Sequence, residues 1–448
     1  MADLSTATLH AALASLGAPT GAKCCVGFSG GADSTALLKC LQELREELGG
    51  FELRAIHVNH HLHPRAETWA EHCAGLARQL AVPLLLLDAR IEAVRGESLE
   101  AAAREARYRL FAEALTPAEF LLTAHHAEDQ LETLLLQLAR GAGVAGLAGM
   151  SRRTPCGPGE HLRPLLDFNR EALQRYLAKS GLTWIEDPSN EDHRFDRNFM
   201  RHEVLPILRQ RWPSLPASAV RSADHLASAQ SILDELARAD HFAAAEGTRL
   251  SVPMLRRLAP ERMRNLLRYW IRLRNAPLPS SAILGEVVSQ MLALTADTTP
   301  EVRWSGHVAR RYRDRLYLST GLSDEPGEGA WWDWKTQPEI LLPAGSGRLR
   351  AREVTHANAV LTAIPDKLRV GWRAGGETLR LATNRPHREL RSLMQERGIV
   401  PWMRGRIPLL FAADELVAVG DLWIAAEFRA SAEESGILLE WLDHPELY

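Results

Sequence analysis

The chain has 448 residues, 46% of them hydrophobic, and a formal net charge of −3. That is enough for two or three globular domains and excludes a low-complexity or uniformly basic chain. No apolar run approaches the roughly 20 residues of a membrane span and no basic-then-apolar leader opens the chain, so the sequence predicts a cytoplasmic protein with no membrane partner.

Along the chain, Cys24-Cys25-Val26-Gly27-Phe28 reads as a first strand and Thr35 through Leu48 as a helix. Between them stand Ser29, Gly30, Gly31, Ala32, Asp33 and Ser34. A strand, a glycine turn and a helix start make a phosphate site. The turn exposes N–H groups, the helix start adds partial positive charge, and glycine lets the backbone approach the anion. No Gly-Lys-Ser/Thr follows, which excludes a Walker A loop, and the third glycine of a dinucleotide fingerprint is missing. The plainer alternative is a turn with Asp33 or Ser34 as a helix cap.

Phe51–Asn59 is a second strand, Glu67–Leu80 a helix, and Val82–Leu87 a third strand apolar enough to be buried on both faces. A helix over Leu99–Leu115, a strand over Phe120–Ala124 and a helix near Asp129–Arg140 follow. The alternation predicts an α/β domain, a parallel sheet with helices on both faces, whose ligand sits at the carboxyl ends of the strands. The chemically rich residues fall at those ends: Ser29–Ser34, Asn59–His63 and His125–Gln130. His57, His60, His61 and His63 invite a zinc reading, but no Cys or carboxylate set completes it. The better reading has Asn59 lining the nucleotide site. Asp33 and Asp129, from different strand ends, suit a Mg²⁺ held on the phosphates of ATP. His126 contacts phosphate or orients the carboxylate. The alternative for Asp129 is an N-cap with Glu132 closing a capping box. The five cysteines, Cys24, Cys25, Cys40, Cys73 and Cys156, are odd in number and lack metal-ligand spacing, which predicts reduced thiols.

Ser29–Ser34 resembles the SGGxDS loop of the PP-loop ATP pyrophosphatases. The resemblance narrows with Leu99-Glu100-Ala101-Ala102-Ala103-Arg104-Glu105-Ala106-Arg107-Tyr108, with His126-x-x-Asp129-Gln130 and with Arg140 through Leu147. Arg163-Pro164-Leu165-Leu166, Glu186-Asp187-Pro188-Ser189-Asn190 and Phe195 through Arg201 extend it. Together these are similar to the tRNA(Ile)-lysidine synthetases. The resemblance implies an enzyme that uses ATP to activate the wobble cytidine of an isoleucine tRNA with a CAU anticodon, then attaches L-lysine there. The lysidine formed pairs with adenine. In such a reaction Ser29–Ser34 grips the departing pyrophosphate. Glu186 or Asp187 suits the lysine cation, and Asn190 stands in the same motif. Arg107 reaches phosphate or the activated base, with a surface salt bridge as its alternative. Arg197 and Arg201, four apart, share a helix face and suit tRNA phosphate or the adenylate. No residue presents itself as a general base.

Trp212-Pro213-Ser214-Leu215-Pro216 reads as a linker, followed by a long helix, Ala217 through Ala245. The helix Glu261–Arg274 carries Arg262, Arg264, Arg268, Arg272 and Arg274 around Trp270, and Arg303-Trp304 and Arg310–Arg313 look strand-like. Basic residues among aromatics suit RNA; the alternative is a solvated face with the tryptophan in the core. From Arg348 to Arg406 thirteen Arg/Lys face five Asp/Glu, and from Ile407 to Tyr448 one Arg faces nine Asp/Glu. The basic part suits a tRNA acceptor arm. The expected domains are 1–213, catalytic; 214–325, mainly helical and tRNA-binding; and 326–448, a small α+β tRNA-binding domain. Oligomeric state is open, a homodimer included. A thiolase would need paired cysteines, and an amidotransferase would need an ammonia source; an inactive RNA-binding protein is the remaining rival.

Overall fold

The computed structural model describes residues 2–19, 21–49, 51–90, 99–293, 299–321, 326–355, 364–430 and 435–448. It divides into two compact units, Met1–Leu233 and Asp234–Tyr448.

The first unit opens with α1 (Thr6–Ser15), which starts where the Ser5 hydroxyl accepts from the Thr8 N–H. Then come β1 (Lys23–Gly27), α2 (Ala32–Leu48), β2 (Glu52–Asn59), α3 (Ala66–Gln79), β3 (Leu84–Asp88), α4 (Leu99–Ala114), β4 (Glu119–Leu122) and α5 (Ala127–Ala139). α6 (Val144–Leu147), β5 (Arg153–Cys156), β6 (Gly159–Leu162) and α7 (Arg170–Ser180) complete the layers. The sheet order is β3-β2-β1-β4-β6-β5, parallel except for the β5–β6 pair. Period-two alternation sorts the strand residues between two cores. Cys24, Val26, Leu53, Ala55 and Leu122 pack with residues of α1, α2, α3 and α7 on one face. Cys25, Ile56, Val58 and Leu121 pack with Ala106 and Phe111 of α4 on the other. All five cysteines are free and buried, so they serve as small apolar residues.

Two expectations change. The third strand is not buried on both faces: β3 is an edge strand, with Leu85 39% and Leu86 49% exposed. A run of leucines records hydrophobicity and not position in the sheet. The sheet is also not wholly parallel, because β5 and β6 form a hairpin turned by Gly157-Pro158. Gly157 has φ +55°, and a Cβ there would stand 2.2 Å from the Ala112 carbonyl oxygen, so glycine is required.

Beyond the sheet come a 3₁₀ turn (Pro188–Glu191), α8 (Asp196–Phe199), a π turn (Met200–Val204), α9 (Leu205–Arg211) and α10 (Leu215–Ala244). α10 begins within the expected linker, with Pro216 in its first turn, where a missing N–H costs nothing.

The second unit holds two cores. One gathers α11 (Val252–Arg256), α12 (Pro260–Leu273) and α13 (Ser281–Met291) on an antiparallel sheet built from β7 (Ala245–Glu246), β8 (Arg249–Ser251), β9 (Glu301–Trp304), β10 (His307–Tyr312) and β11 (Arg315–Thr320). Trp270 is buried and its indole N–H donates to the Thr248 carbonyl (3.0 Å), while Arg262 pairs with Asp240 and Arg272 with Asp234. The interleaved arginines and tryptophan of α12 are therefore one amphipathic helix and not a stacking surface. The other core lies among short antiparallel strands and one helix, Leu390–Glu396.

Candidate functional site

Strand order reverses at β1, with β2 on one side and β4 on the other. In an open α/β sheet this reversal leaves a crevice at the carboxyl ends of the two central strands. The Ser29–Ser34 loop leaves β1 there, and His125–Asp129 leaves β4.

The loop is held from inside. Gly30 has φ +80°, and a Cβ on it would meet Ile185 Cδ1 at 2.5 Å and Cys73 Sγ at 2.7 Å. Its carbonyl accepts from the Ile185 N–H (2.8 Å). Ser29 Oγ and Ser34 Oγ lie 3.1 Å apart, and the Ser34 hydroxyl donates to the Gly31 carbonyl (3.1 Å). Neither Asp33 nor Ser34 caps α2: Gly31 is the N-cap and supplies no side-chain acceptor. The first N–H groups of a 17-residue helix thus face the crevice without a protein cap, as an anion site requires.

His126 is the hub. Its Nε2 lies 3.6 Å from Asp33 Oδ2 and 3.5 Å from Asp129 Oδ2, and its Nδ1 lies 3.1 Å from Glu128 Oε2. Burial opposes charge on this imidazole, but Asp129, Asp33 and Glu128 outweigh burial and push it up to about 10. His126 is also the N-cap of α5, and Asp129, at the third helical position, accepts from its backbone N–H (2.9 Å). Asp129 is therefore not the N-cap, and Glu132 closes no box. Arg197 donates from Nη2 to Asp129 Oδ1 (2.7 Å) and from Nε to Glu132 Oε2 (2.8 Å). Arg201 donates from Nε to Glu132 Oε1 (2.7 Å) and from Nη2 to Asp129 Oδ1 (3.1 Å). Burial alone would raise the Asp129 carboxyl; His126 and Arg197 overcome it and hold the group well below the usual carboxylate range.

A Mg²⁺ on two carboxylates meets an unequal pair. Asp33 Oδ1 is buried with no hydrogen-bond partner, which fits a metal or phosphate-bound cation. Both oxygens of Asp129 are engaged by Arg197, Arg201 and His126. Asn59 ties down the exit of β2: its amide donates to Glu67 (3.0 Å) and its Oδ1 accepts from the His61 N–H (2.9 Å). The four histidines go separate ways. His57 Nδ1 bonds the Phe28 carbonyl (2.9 Å) and His61 pairs with Glu67 and Asp88. No group of three or more His, Cys, Asp or Glu among the described residues could hold a metal. Burial and the positive charge of Arg107 push His60, the residue after β2, down to about 4. Exposed Glu186 and half-buried Asp187 directly follow Ile185, the residue that covers Gly30. Asn190 belongs to the 3₁₀ turn, and its side chain lies outside the described residues.

Sequence reasoning passed over Glu128 and the full role of Glu132, which is completely buried. Spacing held a signal for the second. Asp129 and Glu132 are three apart on α5, and Arg197 and Arg201 are four apart, so two helix-face pairs could have been matched.

Family models match the chain in three places: a PP-loop domain over residues 5–208, a TilS substrate binding domain over 250–317 and a TilS substrate C-terminal domain over 368–441. The tRNA(Ile)-lysidine synthase of Alkalilimnicola ehrlichii is 41% identical over 428 residues, covering 96% of this chain and 95% of that protein. The tRNA(Ile)-lysidine synthase of Coxiella burnetii is 40% identical, covering 92% and 91%.

Proposed function

The chain belongs to the tRNA(Ile)-lysidine synthase family, a family of PP-loop ATP-dependent ligases, and from that premise we propose a two-step ligation in the crevice between β1 and β4. The enzyme forms lysidine on an isoleucine tRNA with ATP as substrate. In the first step, O2 of the wobble cytidine of a CAU anticodon attacks the α-phosphate of ATP. An O–P bond forms, the bond to the β-phosphate breaks, and pyrophosphate leaves. In the second, the ε-amine of L-lysine attacks C2, the C2–O bond breaks, and AMP departs with that oxygen while the amine loses a proton. The product pairs with adenine. Reaching the base costs little, since an anticodon loop is already unpaired.

The observation that carries this reading is the His126 hub, which links Asp33 of the glycine loop to Asp129 of α5 beside an uncapped helix start. Ser29, Ser34 and the loop N–H groups hold the β- and γ-phosphates. Asp33, with its free oxygen, would hold Mg²⁺, which would neutralise charge developing on pyrophosphate. Asp129, locked by two arginines, fixes His126 near the phosphates. Arg107 approaches the activated base, and Glu186 or Asp187 receives the lysine ammonium, with Asn190 in the 3₁₀ turn that follows them. Arg197 and Arg201 act through Asp129. Residues 1–213 are the catalytic domain, and 214–325 and 326–448 carry tRNA. Sulfur transfer is disfavoured, because burial pushes the thiols of Cys24, Cys25, Cys40 and Cys73 up to about 12.

The test is incubation of the purified protein with ATP, Mg²⁺, labelled lysine and an unmodified CAU-anticodon tRNA transcript. Label enters the tRNA and AMP and pyrophosphate accumulate in equal amounts. A folded sample that incorporates no lysine overturns the reading.

A further inference from the structure

A second cluster of charge lies on the α4 side of the first unit's sheet, and the two steps above leave it without work. Arg163 follows β6 and is 8% exposed. Its Nη1 donates to the Ser151 carbonyl, and its Nε is buried with no hydrogen-bond partner. No carboxylate among the described residues pairs with it. Burying a cation is costly, and among the described residues the Tyr108 side chain, not a carboxylate, is what favours its charged form.

Among the groups around it, Arg104 adds a second positive charge. Arg104 of α4, exposed, lies with its guanidinium 5.0 Å from the Tyr108 ring, and that ring stands 5.5 Å from His161. The Thr123 hydroxyl bridges His125 Nδ1 (2.8 Å) and His161 Nε2 (2.7 Å). One hydroxyl proton cannot serve both rings as donor, so one imidazole must donate to the oxygen. The bridge thus couples the tautomers of the two rings. Burial, with Arg163 and Arg104, pushes His161 down to about 3, and burial, opposed by Asp129, pushes His125 well below its ordinary value. Burial also lowers the Arg163 guanidinium. Such an environment already holds more positive charge than it tolerates. Asp129 acts on His125, and its oxygens are taken by Arg197, Arg201 and His126. The cluster opens to solvent through Arg104, Tyr108 and His125.

We propose that Arg163 and Arg104, with Tyr108, His125 and His161 around them, form an oxyanion subsite next to the pyrophosphate loop. It rests on the ligation reading, which brings two oxyanions into the crevice between β1 and β4 beyond the pyrophosphate: the phosphate of the adenylyl group and the α-carboxylate of lysine. The guanidinium fork matches either. Thr123 is a positioning residue that ties the two imidazoles to one hydroxyl.

The experiment compares each oxyanion with an analogue lacking it, by calorimetric binding to the full chain: AMP against adenosine, and L-lysine against L-lysinamide. The wild type binds the charged member of one pair at least about tenfold more tightly. Arg163→Gln and, separately, Arg104→Ala reduce that preference severalfold in the same pair. Loss at the lysine pair assigns the carboxylate, and loss at the AMP pair assigns the phosphate. Both preferences unchanged in folded variants overturns the subsite. Arg104 is exposed, so its variant keeps the test alive if Arg163→Gln does not fold. Binding requires no turnover, so a chain that binds normally yet ligates no lysine would refute the ligation reading and leave the subsite standing.

Discussion

At the scale of single residues, Glu132 is the carboxylate on which the site depends most, and the sequence suggested for it no more than a capping box. It is fully buried and bonded by both Arg197 and Arg201, which share Asp129 with it. Removing it leaves two guanidinium groups facing one carboxylate. Glu132→Ala therefore lowers stability by about 3–5 kcal/mol, the penalty for breaking a buried pair by deleting one partner. Urea unfolding followed by tryptophan fluorescence reads the loss, and an unchanged midpoint shows the pair to be dispensable. The histidines give a second prediction. His161 is pushed down to about 3 by burial and by Arg163 and Arg104, and His60 to about 4 by burial and Arg107. Both are neutral when folded, whereas an unfolded histidine protonates near pH 6.5. Their contribution is fully present above about pH 6.5 and is lost as the pH falls from there through the folded values of about 4 and about 3. Each group contributes at most about 1.4 kcal/mol per pH unit. Melting curves between pH 8 and 4 show a falling midpoint, and His161→Asn flattens the slope. An equal slope in wild type and variant assigns the acid sensitivity elsewhere.

At the scale of elements, the glycine loop works only because another segment is shaped around it. Gly30→Ala places a Cβ in left-handed backbone against Ile185 and Cys73. The substitution displaces the loop from Ile185 and raises the KM for ATP at least about tenfold, while circular dichroism stays close to wild type; an unaltered KM shows that the loop accommodates the methyl group. This pairing also marks where reading the sequence stopped. The alternation of strand and helix, the loop and the carboxyl-end clusters were legible because they are local or periodic. Ile185 covering Gly30 is a contact across more than 150 residues, and no periodicity encodes it. Edge or centre for β3 was equally hidden, since Leu84–Leu87 carries the same letters in either place. The β5–β6 hairpin left a trace in Gly157-Pro158, but each of its strands is only four residues long. Arg197 and Arg201 were picked out from spacing, yet their partners were not, because ion pairing depends on what the fold brings opposite.

At the scale of the whole molecule, charge counted along the chain and charge arranged in space part company. The basic stretch Arg348–Arg406 and the acidic stretch Ile407–Tyr448 look like opposite poles. In the second unit, however, the strand Arg348–Thr355 pairs antiparallel with Ser435–Leu442. Arg348 lies 2.9 Å from Asp443, Arg350 is 2.9 Å from Glu440, and Arg380 pairs with Glu427. Much of the segregation cancels within the fold, and Glu433 and Glu434 lie outside the described residues. Arg388, which the sequence marked for RNA, pairs with Glu396, and Arg397 donates to the Tyr448 hydroxyl (2.7 Å) while stacking 5.1 Å over Trp423. Arg385 and Arg391 differ: both are exposed, and no carboxylate among the described residues lies within 4.0 Å of either. Cations of this kind replace counterions on phosphate, whereas paired ones must first give up a partner. Arg385→Ala with Arg391→Ala therefore weakens tRNA binding and reduces the slope of log affinity against log salt by about two, one for each phosphate contact removed. Arg350→Ala, which breaks the pair with Glu440, leaves that slope unchanged and acts on stability alone. Filter binding over a salt series separates the two. An equal loss of slope in both variants would mean that paired arginines release their carboxylates to bind RNA, and that the acidic C-terminal strand competes with tRNA for them.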